Sequence, residues 1–93
     1  MGQRIRIGET DRVPLEPNCG YWFLIVTSSH GRIEHRDIML SKSGAKEVLS
    51  ILHQYKDRPD ECSVFHVWHG RNRTDLFLMD IPVLIQRLES EAI

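Results

Sequence analysis

At 93 residues, 41% of them apolar and 27% charged, the chain has the composition of one folded globular domain and lies far from the sparse, highly charged regime of disorder. Twelve basic residues against thirteen acidic ones leave a formal charge of −1, which excludes a global field drawing the protein to nucleic acid or anionic lipid. Binding of that kind requires a local patch.

No stretch is apolar for long enough to span a bilayer, and the opening MGQRIRIGETDR has no signal-peptide run. A cytoplasmic protein without membrane contact is therefore expected, with Cys19 and Cys62 as reduced thiols.

In chain order, Arg4-Ile5-Arg6-Ile7 alternates with the period of a strand and predicts a short N-terminal edge strand. Residues 9–20 gather Pro14, Pro17, Asn18 and Gly20 and read as a loop within a single domain spanning 1–93. Tyr21 to Thr27 is rich in β-branched and aromatic residues, Ser28-Ser29-His30-Gly31 carries turn chemistry, and Ile33 to Leu40 returns as the partner strand. Ser41 or Ser43 then offers an N-cap to a helix whose Ala45, Val48, Leu49 and Leu52 recur at i, i+3, i+4 and i+7, ending near Lys56.

Ser63 to Trp68, a turn over His69 to Asn72, and Thr74 to Met79 repeat the hairpin. Asp80 caps a second helix with Pro82 in its first turn and Ile81, Leu84, Ile85 and Leu88 as its apolar stripe. The fold class is α+β: two ββα units forming an antiparallel sheet with two helices packed on one face. Both units carry His-Gly-Arg, and 39 residues separate His30 from His69, as they do Ser41 from Asp80 and Leu49 from Leu88. Architectural pseudo-repetition is expected.

Alternation sets Tyr21, Phe23 and Ile25 on one face of the sheet and Trp22, Leu24 and Val26 on the other. Both faces are apolar, and two helices on one side leave the second in need of cover. Tyr21, Phe23 and Ile25 are the expected interface, for a second copy or for a larger protein that this chain regulates or inhibits. The alternative is that residues 1–20 fold back over that face, or that the helices lie on opposite sides.

The competing reading uses the hairpins. If they project the same way, His30, Arg32, Arg36, His69, Arg71 and Arg73 form a basic patch in which Trp68 can stack on a base, giving a nucleic-acid-binding module. Metal binding is disfavoured: His66 and His69 differ by an odd number and point to opposite faces of a regular strand, so neither they nor Cys62 suggest a shared ion. No phosphate-cradling glycine loop or nucleophile elbow is present, and no cofactor or catalytic residue is expected; His35, Asp37, His66 and Asp75 are the polar set an enzyme reading would require to converge.

Overall fold

The computed structural model describes residues 2–7, 10, 12, 13, 15, 21–39, 41–69 and 73–90, with the backbone alone described for 2–7, 21, 69 and 73. Five strands, β1 (Gly2–Ile7), β2 (Tyr21–Ser29), β3 (Arg32–Met39), β4 (Cys62–His69) and β5 (Arg73–Leu78), form one sheet in the order β1-β5-β4-β2-β3. Four are antiparallel neighbours, and β1 joins β5 in parallel at the edge. Helix α1 (Lys42–Tyr55) follows the first hairpin and α2 (Ile81–Ser90) the second, so the ββαββα order and the N-terminal edge strand are both present.

Helix starts follow their caps. Ser41 Oγ accepts from the Gly44 amide at 3.0 Å, and Asp80 Oδ1 accepts from the Val83 amide at 3.1 Å. Each satisfies an amide that the first helical turn leaves without an internal partner. The second cap repeats the first at an offset of 39 residues, and so do the first helical bonds, Ala45 N to Ser41 O and Leu84 N to Asp80 O.

The same offset explains the centre of the sheet. Ile25 of β2 lies directly opposite Val64 of β4, and they too are 39 residues apart. The antiparallel pairing of β2 with β4 is therefore symmetric about this pair. The hairpins depart from this symmetry. The first closes on His30-Gly31 between the pair Ser29 and Arg32, with φ of 52° and 77°, a two-residue turn needing positive φ at both positions. In the second, His69 still belongs to β4 and pairs with Thr74. His30 thus belongs to a turn and His69 to a strand, and residues 70–72 lie outside the described residues.

The core lies between the helices and one sheet face. Phe23, Ile25, Ile38, Cys62 and Val64 meet Ala45, Val48 and Leu52 of α1 and Leu84 and Leu88 of α2. Burial pushes the Cys62 thiol up, holding it in the protonated form. Cys19 lies outside the described residues.

The described part of the Pro-rich segment packs on this same side. Val13 and Leu15 enter the core, Thr10 Oγ1 accepts from the Asp80 amide at 2.7 Å, and Arg87 Nη1 donates to Thr10 O and, at 2.7 Å, to Val13 O. Arg87 is therefore no simple member of a solvated helix face: three residues after Leu84, it borders the buried stripe and holds the loop to α2. Hydrogen bonds from a charged group contribute about 1.5–3 kcal/mol, so Arg87→Ala is expected to lower unfolding free energy by about 2 kcal/mol in urea titrations. Arg87→Lys, which lacks the guanidinium fork, should recover less than half of the loss.

Candidate functional site: the open face of the sheet

The helices cover the face that carries Phe23 and Ile25, which are 0% and 1% exposed. These residues are core, which corrects their placement at an interface. The backbone of Tyr21 falls in β2, and its side chain lies outside the described residues. The physical reason for the correction is the pair of caps: Ser41 and Asp80 start the helices over the odd-numbered residues of β2, and β2 is apolar on both faces.

The opposite face is built from the alternate residues. In register across β3, β2, β4 and β5 it presents Met39, Trp22, Val67 and Leu76 in one row and Asp37, Leu24, Phe65 and Leu78 in the next. A third row sets His35 beside Val26 and Ser63. Val67 and Leu76 are buried at the middle of the sheet, while Trp22, Leu24, Val26, Phe65 and Leu78 are half-buried. On β3, Ile33 and Met39 are 68% and 62% exposed, the large apolar side chains most open to solvent among the described residues. Among those residues no helix lies over this face, and Thr10, Val13 and Leu15 pack on the helical side. The apolar side chains of this face are thus exposed at the β3 edge, half-buried along β2 and at Phe65 and Leu78, and buried at Val67 and Leu76.

Among the described residues the basic patch is not assembled. β2 and β4 run antiparallel, with Tyr21 opposite Trp68 and Thr27 opposite Cys62, so the first turn leaves one end of the sheet and the second the other. Eight residue steps along a strand separate the ends by about 27 Å. His30 and Arg32 therefore sit at one end, and Trp68 and the backbones of His69 and Arg73 at the other. Arg71 and the side chains of His69 and Arg73 lie outside the described residues. Arg36 lies mid-strand on the helical side, paired with Glu47 of α1 at 3.2 Å.

The polar set does not converge either. His35 and Asp37 are exposed on β3, on the open face, whereas His66 and Asp75 are 1% and 3% exposed on the helical face. His66 stands edge-on to Phe23, with ring centroids 5.4 Å apart, and 6.5 Å from Phe77. It is an aromatic core member. Among the described residues no three His, Cys, Asp or Glu side chains gather as a metal site, and no helix is long and apolar enough to cross a membrane. A shallow groove of about 380 Å³ between the first hairpin and the end of α1, lined by Thr27, Glu34, Gln54 and Tyr55 among others, is open to solvent and contains no buried polar side chain.

Comparison with known protein families, with curated proteins and with solved structures yields no match to this chain.

Proposed function

We propose that this protein is a non-enzymatic binding module that regulates a larger protein by docking on it through the open face of its sheet. The observation that carries this reading is the continuous row Leu24, Phe65 and Leu78, half-buried on the side the helices do not cover. Rigid side chains on three paired strands give a partner a preformed apolar surface, and large side chains at the centre of such a patch are where binding energy concentrates. Asp37, in register with Leu24, supplies a charge at the rim.

A photo-crosslinking amino acid substituted at Leu24 should give a discrete adduct with one larger protein in the cells that make this chain. The same substitution at Ser50, exposed on α1, should give none, and excess folded Leu24→Lys protein should fail to compete where wild type succeeds. Equal labelling from the two positions, or none from Leu24, contradicts the proposal.

A further inference from the structure

β3 is the edge of the sheet opposite β1. β3 is an eight-residue edge strand without proline, every residue from Arg32 to Asp37 is exposed, and its register with β2 is unbroken along its length. Such an edge presents backbone donors and acceptors to any strand of matching side chains. What singles out a second copy is the order of side chains on the open face: Ile33, His35, Asp37 and Met39.

This order is complementary to itself when reversed. Antiparallel pairing of two β3 strands about a two-fold axis at Arg36 sets Ile33 against Met39 of the other copy and His35 against its Asp37, each contact occurring twice. The two most exposed apolar side chains then cover each other, flanking two histidine–aspartate pairs placed to hydrogen-bond. Cross-strand pairs of these kinds are the stabilising unit of an antiparallel sheet.

Neighbouring registers lack the match on the open face. Centred on His35, the pairing sets Ile33 against Asp37 there, although it brings Glu34 opposite Arg36 on the other face; centred on Asp37, it brings the two aspartates together. The axis pair itself is Arg36 with Arg36, and each carries its own counter-ion, Glu47, at 3.2 Å. It is the mutual cover of Ile33 and Met39, the two most exposed apolar side chains, that favours the register centred on Arg36.

We infer that the protein forms a two-fold homodimer by antiparallel pairing of β3 with β3, centred on Arg36, which joins the two sheets into one. The inference rests on the docking reading in one respect: the join gives the partner a single open face contributed by both copies. It has its own consequences. Sedimentation velocity between about 1 µM and 1 mM should show a monomer giving way to a dimer. Ile33→Lys with Met39→Lys sets like charges opposite one another and should weaken the dimer at least about tenfold, with the unfolding midpoint of the monomer unchanged.

Register is tested by disulfides in a Cys19→Ser background. Directly opposed residues bring Cα atoms to about 4.5–5.5 Å, within disulfide reach, so Arg36→Cys should crosslink under mild oxidation. His35→Cys, displaced by two residues from its own copy, should not. No dimer at any concentration, crosslinking from His35→Cys in preference to Arg36→Cys, or a dimer abolished by Leu24→Lys and retained by Ile33→Lys/Met39→Lys each overturns the inference. A dimer without an adduct from Leu24 sinks the docking reading alone, and an adduct without a dimer sinks the edge pairing alone.

Discussion

Gly44→Ala is expected to destabilise the protein by about 2–3 kcal/mol, although alanine is the better helix former by about 1 kcal/mol. Gly44 lies in the first turn of α1 and is buried. A Cβ placed there would overlap the Met39 carbonyl oxygen at the end of β3, and would also crowd Ser41 Oγ at 3.1 Å and Ile38 Cγ2 at 3.2 Å. Two of these three are parts of the backbone turn and the cap that start the helix, so relief requires moving α1 off the sheet. The equivalent position in the second unit, 39 residues on, is Val83, which shows that the close approach belongs to the first strand–helix junction and is no general property of the repeat. Ser43→Ala, one residue earlier and exposed, should change the urea midpoint very little. A Gly44→Ala protein as stable as wild type would mean that α1 does not sit this close to β3.

Phe23→Ala and Phe65→Ala remove the same atoms from opposite faces of adjacent strands, and the first should be far more damaging. Phe23 is fully buried, with Ile38 and His66 as its in-register neighbours, and truncating such a ring costs about 3–5 kcal/mol. Phe65 is half-buried on the open face between Leu24 and Leu78. Solvent can enter the space it leaves, so the loss is confined to cross-strand contact, about 1 kcal/mol. Paired chemical denaturation of the two variants decides this. Equal losses would place a cover on the open face.

Local signals carried most of the architecture. The caps Ser41 and Asp80, the turn at His30-Gly31 and the stripe Leu84, Leu88 are matters of a few neighbouring residues, and each element formed where its residues favour it. The candidate site was harder because it depends on pairings between distant segments. Trp22 and Phe23 are equally good strand residues, and which of them is core is decided only when the helices land. Whether two hairpin turns share an end of the sheet depends on β2 and β4 running antiparallel, a contact 41 residues apart at Leu24 and Phe65. That one pairing separates His30 and Arg32 from Trp68 and dissolves the basic patch. Arg87 shows the same limit on a smaller scale: its spacing from Leu84 brings it to the border of the buried face, but its acceptors are backbone carbonyls of a loop more than seventy residues away.

The central claim is that one face of this sheet is core and the other an open binding surface. A neutral paramagnetic cosolute, which broadens the NMR signals of solvent-accessible side chains, tests it residue by residue in the native protein at a concentration where it is monomeric. Leu24, Val26, Phe65 and Leu78 should be strongly attenuated, with Ile33 and Met39 most of all, while Phe23, Ile25, Val48 and Val64 remain sharp. Equal protection of Leu24 and Ile25 would contradict the account, because the face assigned to a partner would then already be covered by the chain itself.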